Sequence, residues 1–266
     1  MLAEHIQALV LGVVQGVTEF LPVSSSAHLL LLPRVVGWEH FGKTFDVALH
    51  GGTLLALAVF YRADLWMLAR GGGLTWRDAE PPAARHLAGL LVRASLPAAL
   101  LGFLLEDWLE ANFQGPRWLA VWLALGAVAM LWADRRPQKR SMWQLSGSES
   151  QAAGWAQALA LMPGVSRSGA TLVACRAMGL TRPEAMRFSM LMAFPVVAGA
   201  TAWKLLKLWL LKQSVCWSLI ALGTVAAAAS GLWALSLLAR HLPRLGLAPF
   251  ALYRLALAGL LWTFVR

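Results

Sequence analysis

Two short stretches of the 266-residue chain carry side chains suited to phosphate chemistry. The first reads QGVTEFLPVSSSAH, from Gln15 to His28, and the second reads PGVSRSGAT, from Pro163 to Thr171. In both, serines follow shortly after a proline, which ends one helix before a serine begins the next. Because the free N–H groups of a helix start attract anions, we expect phosphate to bind at these starts. The candidate binding residues are Ser24, Ser26, Ser166, Ser168 and Gly169.

Four further side chains in these stretches could carry a reaction: Glu19, Ser25, His28 and Arg167. A serine near a histidine can be an activated nucleophile, and a carboxylate in an apolar segment is functional by default. The planar guanidinium of arginine matches carboxylate or phosphate oxygens. Each residue could instead have a purely structural role. Glu19 could form an ion pair with Arg167, the serines could serve only as helix caps, and His28 could be a polar residue with its hydrogen bonds made inside the helical bundle.

The composition shows which kind of protein must position these residues. Apolar residues make up 59% of the chain and charged residues 14%, against roughly 45–50% and 25% in soluble domains. The stretches 118–133, 188–203 and 213–239 contain no Asp, Glu, Lys or Arg. Runs of this length predict membrane-spanning helices and exclude a secreted soluble domain and a β-barrel. The +10 net charge lies mostly between the apolar runs, which is typical of membrane topology and not of nucleic-acid binding.

Six apolar segments and two interrupted elements make up the predicted fold. The segments cover about 44–61, 86–105, 117–133, 188–203, 214–239 and 247–265. Each interrupted element has an arm of ten residues, Ser24–Pro33 and Ser166–Cys175, which reaches about 15 Å, or half of the roughly 30 Å bilayer core. Each is therefore a re-entrant hairpin or one broken spanning helix. Ser24 and Ser166, like Arg34 and Arg176, lie 142 positions apart, which indicates an internal repeat.

The distribution of Lys and Arg favours re-entrant hairpins. With re-entrant elements these residues divide 13 to 7 between the two sides, whereas spanning elements give 12 to 8. We predict an all-α polytopic membrane protein, with six transmembrane helices plus two re-entrant helical hairpins arranged as an inverted repeat. It is a single domain over 1–266, with repeats of about 1–133 and 151–266. Both termini and the loop 105–117 face outward, whereas the loops 62–85 (turn-rich near Gly71–Gly73) and 134–150 are cytoplasmic.

The two stretches resemble the two signature motifs of the bacterial undecaprenyl-pyrophosphate phosphatases of the BacA type, in the same order. Residues 45–61 and 187–195 also resemble that family's intervening helices. The resemblance implies that Glu19, Ser25, His28 and Arg167 are catalytic. It also implies a divalent cation, such as Mg²⁺ or Ca²⁺, held by Glu19 and Gln15. The departure is Ser26-Ala27, where the family often has Thr-Gly.

The resemblance further implies hydrolysis of undecaprenyl diphosphate to the monophosphate and inorganic phosphate in the bacterial plasma (inner) membrane. This step recycles the carrier lipid for peptidoglycan and is linked to resistance to bacitracin, which competes for the lipid. The expected partners are a polyprenyl diphosphate and the bilayer, without nucleic acid and with homo-oligomerisation left open. The alternatives are a polyprenyl-phosphate flippase or anion transporter, and a structural subunit. The residues alone leave open whether Ser25 or water attacks, and how Glu19 and His28 share acid and base roles.

Overall fold

The computed structural model of the protein describes residues 2–70, 81–113, 115–210 and 216–263. These residues form helices throughout, with a 3-10 turn at Met142–Gln144 and no β-sheet among them. The eleven α-helices in this part of the chain are α1 (Leu2–Phe20), α2 (Ser25–Val36), α3 (Lys43–Phe60), α4 (Arg62–Ala69), α5 (Pro81–Phe113), α6 (Pro116–Asp134), α7 (Gly147–Leu159), α8 (Arg167–Ala177), α9 (Arg182–Leu210), α10 (Trp217–Leu245) and α11 (Ala248–Thr263).

Several of these helices are long and apolar enough to cross a membrane. In the described ranges, four qualify: Ala83–Leu105 of α5, Pro116–Asp134, Arg182–Lys207 of α9 and Trp217–Leu245. The pair α3 and α4, bent by 78° at their junction, could form a fifth. Large apolar side chains such as those of Leu96, Leu100 and Phe103 are exposed, as expected for contact with lipid. The prediction of an all-α, multi-pass membrane protein is confirmed.

The first helix of each half of the chain packs against the other half. Helix α1 packs most extensively against α10 of the second half, and α7 packs most extensively against α5 of the first half. Small residues allow both close approaches, since a Cβ atom at Gly16 would overlap the Ala227 carbonyl and one at Gly154 would overlap the Ala94 backbone. This reciprocal packing brings the ends of α1 and α7 into the centre of the molecule.

Both predicted interruptions are present. Helix α1 ends at Phe20 and α2 begins at Ser25, whereas α7 ends at Leu159 and α8 begins at Arg167. The second arms contain 12 and 11 residues, a length of about 18 and 16 Å, which is half of a bilayer core. The serines that open these arms therefore lie in the interior of the helical bundle.

Three predicted boundaries are wrong: the ends of both arms and the loop 105–117. The second arm runs past Cys175 to Ala177. Pro33 does not end its arm but lies inside α2, which continues to Val36. The helix ends there because Gly37 adopts a left-handed conformation, with φ 74°, and donates its N–H to the Pro33 carbonyl.

The predicted loop 105–117 is mostly helical, because α5 runs on to Phe113. The sequence from Leu105 to Phe113 contains no glycine or proline and is rich in good helix formers. Gly115 and Pro116 then begin α6. In the predicted cytoplasmic loops, α4 occupies part of 62–85 and α7 begins at Gly147. The turn-rich segment Gly71–Gly73 lies outside the described residues.

Candidate active site

The turns between α1 and α2 and between α7 and α8 have the same unusual backbone. Ser24 has φ 77° and Ser166 has φ 67°, and they are the non-glycine residues with positive φ among the residues that the structure describes. Both side chains are buried. Ser166 Oγ accepts a hydrogen bond from the Gly169 N–H at 3.2 Å, and Ser24 Oγ shares one with Ser26 Oγ at 3.1 Å. Because such conformations cost about 1–3 kcal/mol, the surrounding structure must hold both turns in place.

The two turns contact each other directly. Ser26 Oγ accepts a hydrogen bond from the Gly164 N–H at 3.3 Å, and Ser168 Oγ donates one to the Leu21 carbonyl at 3.3 Å. Each turn thus supplies one serine hydroxyl to the backbone of the other. The N-terminal ends of α2 and α8 are brought side by side.

A cavity of about 330 Å³ lies where these helix ends meet. Its polar part contains four of the five serines at the helix starts, together with Glu19 and Arg167. Its apolar part is formed mainly by α2 and α9, and further polar groups come from α3, from the segment before it and from α9. The lining serines are Ser24, Ser25, Ser26 and Ser166; the apolar residues include Leu29, Leu30, Val196, Val197 and Ala200; the further polar residues include His40, Asp46, His50 and Lys204.

Glu19 is the centre of the polar contacts in this cavity. Its Oε1 lies 3.0 Å from Arg167 Nη2, and its Oε2 accepts a hydrogen bond of 2.6 Å from Ser25 Oγ. Gln15 Nε2 donates to the same Oε2 at 3.2 Å, and His50 Nε2 lies 4.0 Å from it. The carboxylate therefore joins a serine hydroxyl from one turn to a guanidinium from the other.

Arg167 uses only part of its hydrogen-bonding capacity on Glu19. Its Nη1 atom is buried and has no hydrogen-bond partner among the described residues. The side chain borders the cavity and is 13% exposed. A buried guanidinium N–H without a partner is costly, so this nitrogen favours an anionic ligand in the cavity.

His28 lies next to the cavity residues in sequence but does not line the cavity. Its Nδ1 lies 2.7 Å from the Ser24 carbonyl oxygen, and its Nε2 lies 2.6 Å from the Tyr253 hydroxyl oxygen. A carbonyl oxygen can only accept, so Nδ1 carries a proton and donates a hydrogen bond to the Ser24 carbonyl. Both ring nitrogens of His28 are thus used within the protein, and the contact with Ser24 joins His28 to the strained turn.

Sequence reasoning missed the polar residues that α3 and its preceding segment contribute. His50 Nδ1 donates a hydrogen bond of 2.8 Å to the Asp46 carbonyl oxygen, and His50 Nε2 lies 4.0 Å from Glu19 Oε2. Asp46 Oδ2 also lies 3.3 Å from His40 Nε2, and this hydrogen bond raises the pKa of His40 above its ordinary value. The i,i+4 spacing of Asp46 and His50 on a mostly apolar helix was the available signal.

The structure does not bring every candidate residue to the cavity. Ser168 and Gly169 lie just behind it, where they hold Leu21 and Ser166 respectively. Gln15 is fully buried behind Glu19. Of the four predicted catalytic residues, Ser25 and Arg167 each contact Glu19, whereas His28 lies outside the cavity.

The carboxylates available to a cation are few. The described ranges contain no group of three or more His, Cys, Asp or Glu side chains that could hold a metal ion. Glu19 and Asp46 nevertheless both border the cavity, and their oxygens are the ligand type that Mg²⁺ and Ca²⁺ prefer. Gln15 Oε1 is buried beside Glu19 and has no hydrogen-bond partner in the described part of the chain. Glu19, Asp46 and Gln15 are therefore the candidate cation ligands in this region.

Known proteins resemble this chain over almost its full length. The family model for bacitracin resistance protein BacA matches residues 8–260. The undecaprenyl-diphosphatase of Alcanivorax borkumensis is 41% identical over 260 residues, which cover 96% of this chain and 98% of that protein. The undecaprenyl-diphosphatase of Pelobacter propionicus is 42% identical over 261 residues, which cover 96% of this chain and 94% of that protein. The chain therefore belongs to the BacA family.

Proposed function

We propose that the protein is a membrane phosphatase that hydrolyses undecaprenyl diphosphate to undecaprenyl phosphate and inorganic phosphate. The contact chain from Ser25 through Glu19 to Arg167, at two adjoining helix starts, is the observation that carries this proposal. The names of its relatives support the same activity. The reaction recycles the carrier lipid for peptidoglycan and, through the family, is linked to bacitracin resistance.

The cavity residues suit a two-step transfer. Ser25 Oγ forms a bond to the terminal phosphorus while the bond from that phosphorus to the bridging oxygen breaks, and the lipid monophosphate leaves. Glu19 Oε2, which already accepts the Ser25 hydrogen bond at 2.6 Å, takes the hydroxyl proton. Water then attacks the phosphorus, and the bond from that phosphorus to Ser25 Oγ breaks. One water proton stays on the inorganic phosphate and the other passes to Ser25 Oγ, while Glu19 releases its proton to solvent.

Arg167 and the two helix starts hold the substrate oxygens in this mechanism. The buried Nη1 atom of Arg167 supplies a charged donor, and the N–H groups at the starts of α2 and α8 supply neutral donors. Donors set in advance around a transferring phosphoryl group stabilise the charge that develops in the transition state. The apolar wall from Leu29, Val196 and Ala200 suits the first part of a prenyl chain.

A divalent cation such as Mg²⁺ or Ca²⁺ is part of the proposal. Glu19, with Gln15 Oε1 and Asp46, would hold it, and when bound it neutralises the charge of the diphosphate. Chelation should therefore abolish phosphate release, and added Mg²⁺ or Ca²⁺ should restore it.

The membrane arrangement that we propose has six spanning helices and two re-entrant hairpins, arranged as an inverted repeat within one domain. The equal backbone conformations of Ser24 and Ser166 and the reciprocal packing of α1 with α10 and α7 with α5 support the repeat. The apolar helix α11 is the sixth span, although it has only 16 residues. We place the protein in the bacterial plasma membrane with both termini outside, where bacitracin competes for the lipid.

Phosphate release by the purified protein in detergent tests the function. We expect release from a long-chain polyprenyl diphosphate by the wild-type protein and almost none by Ser25→Ala. A flippase or anion transporter needs two compartments and performs no hydrolysis. A folded, monodisperse wild-type protein that releases no phosphate in the presence of Mg²⁺ or Ca²⁺ would overturn the proposal.

A further inference from the structure

Arg254 of α11 is a buried arginine outside the cavity. Its side chain is 0% exposed, and no carboxylate pairs with it among the described residues. Its guanidinium donates hydrogen bonds to five backbone carbonyls instead. The acceptors are Pro22 at 3.4 Å, Trp122 at 3.0 Å, Leu123 at 3.2 Å, Gly164 at 3.1 Å and Val165 at 3.0 Å.

The positions of these carbonyls show what the guanidinium joins. Pro22 lies two residues before Ser24 in the first turn, and Val165 lies directly before Ser166 in the second. The acceptors on α6 tie the same group to a spanning helix. One side chain therefore holds the backbone of both strained turns, where left-handed serines need support from their surroundings.

Two glycines leave room for this guanidinium. A Cβ atom at Gly126 of α6 would overlap Arg254 Nη2, and one at Gly169 of α8 would lie 3.1 Å from Arg254 Nη1. Small residues at both places allow a planar group with five donors to lie between α6, α8 and α11. A lysine ammonium has three donors on one atom and could not reach five carbonyls in this arrangement.

We infer that Arg254 is a positioning residue for the reaction: it sets the two turns relative to each other and so aligns Ser25 and Glu19 with Arg167. It acts through the backbone and does not line the cavity. This inference rests on the proposed phosphatase activity. Since a misplacement of 1 Å can lower a rate by about 100-fold, loosening this clamp should lower kcat strongly.

The test compares Arg254→Lys with Arg176→Lys. Arg176 is the control because it is also 0% exposed and donates to backbone carbonyls, those of Asp134, Arg136 and Leu180, at the other end of α8. Unlike Arg254, it also lies 3.6 Å from a carboxylate oxygen of Asp134. Steady-state phosphate release is measured with folded, monodisperse proteins. We expect kcat of Arg254→Lys to fall by about 100-fold with KM within about threefold, whereas Arg176→Lys keeps the wild-type kcat.

A kcat of Arg254→Lys within a few-fold of wild type, or an equal loss in Arg176→Lys, would overturn the inference. If Arg254→Lys does not fold, Gly126→Ala decides, because its methyl group displaces the guanidinium without removing the charge. It should lower kcat in the same way, and failure of both variants to fold would make Arg254 a folding residue only. A wild-type protein that releases no phosphate would instead refute the proposed function.

Discussion

Arg167 binds Glu19 with only one end of its guanidinium: Nη2 lies 3.0 Å from Glu19 Oε1, across 148 positions of sequence. Nη1 is buried and has no hydrogen-bond partner in the ranges that the structure describes. If the pair served only to neutralise two charges, both nitrogens could face the carboxylate in the bidentate arrangement that is typical of such pairs. The observed geometry leaves one charged donor unpaired, which supports the proposed binding of a diphosphate oxygen by Arg167.

Arg167→Lys should therefore be almost as damaging as Arg167→Ala. Lysine keeps the charge, but it lacks the planar fork that can bind Glu19 and a phosphate oxygen at once. The loss of one such oxyanion contact corresponds to about 2.7–4 kcal/mol, or about 100- to 1,000-fold in kcat. The measurement is phosphate release from a polyprenyl diphosphate by folded, monodisperse variants.

Arg182→Lys is the control for this substitution. Arg182 is similarly half-buried and donates two hydrogen bonds of 2.8 Å to Asp134, outside the cavity. It should keep turnover close to wild type. An Arg167→Lys variant within a few-fold of wild type would show that Arg167 only balances the charge of Glu19.

Glu19→Gln should abolish most of the hydrolysis. Glutamine keeps an oxygen that can accept from Ser25 or Arg167, but at neutral pH it cannot take the Ser25 proton. Gln15→Ala should be milder, because Gln15 contacts Glu19 from outside the cavity. Turnover is measured across the pH range, and near-normal rates for Glu19→Gln would limit Glu19 to a structural role.

Two substitutions of His28 distinguish the roles of its two ring nitrogens. If its role is to hold the Ser24 carbonyl through Nδ1, His28→Asn should keep part of the activity, since the asparagine amide can reach the same carbonyl. His28→Gln places its amide near the former Nε2 position, where it cannot hold the Ser24 carbonyl, and should lose about tenfold more activity, which is less than the roughly 100- to 10,000-fold contribution of a general acid or base. Equal and severe losses in both variants would instead favour direct proton transfer by His28 during the reaction.

The paired breaks in the fold were predictable because the signals are local. Proline and serine end and begin helices through their own covalent structure, so Pro22 and Ser24 marked one turn and Pro163 and Ser166 the other. An ion pair between Glu19 and Arg167 was also one of the two interpretations of the sequence, because the two side chains carry opposite charges. Local chemistry of this kind is visible without an alignment or a structure.

The remaining features of the site depend on tertiary packing. The left-handed conformations of Ser24 and Ser166 are held by distant groups such as Arg254, and no residue pattern near either serine encodes them. His50 reaches Glu19 only because α3 packs beside α1. The position of His28, three residues after Ser25, predicted that it would line the cavity. Its side chain instead lies on the face of α2 that contacts Tyr253.

Outside the membrane-spanning helices, Glu149 should make stability depend on acid pH. Hydrogen bonds from Arg140 and then from Ser146 lower its pKa from 4.5 to about 2. Because the folded value lies below the unfolded one, the stabilisation is complete above pH 4.5 and disappears as pH falls toward about 2. The melting temperature of Glu149→Gln should therefore be lower than that of wild type at pH 7 and approach it in acid. A constant difference over this range would contradict the linkage.

The orientation in the membrane can be tested with single cysteines in a background that carries Cys216→Ser and Cys175→Ser. Ser148 and Asn112 are both exposed, and they are predicted to lie on opposite sides of the membrane. The 13-to-7 division of Lys and Arg places the segment with Ser148 in the cytoplasm and the end of α5 with Asn112 outside. In sealed cells, an impermeant thiol reagent should therefore label Asn112→Cys but not Ser148→Cys, whereas opened cells should label both. Labelling of Ser148→Cys in sealed cells, without labelling of Asn112→Cys, would invert the topology and place the termini in the cytoplasm.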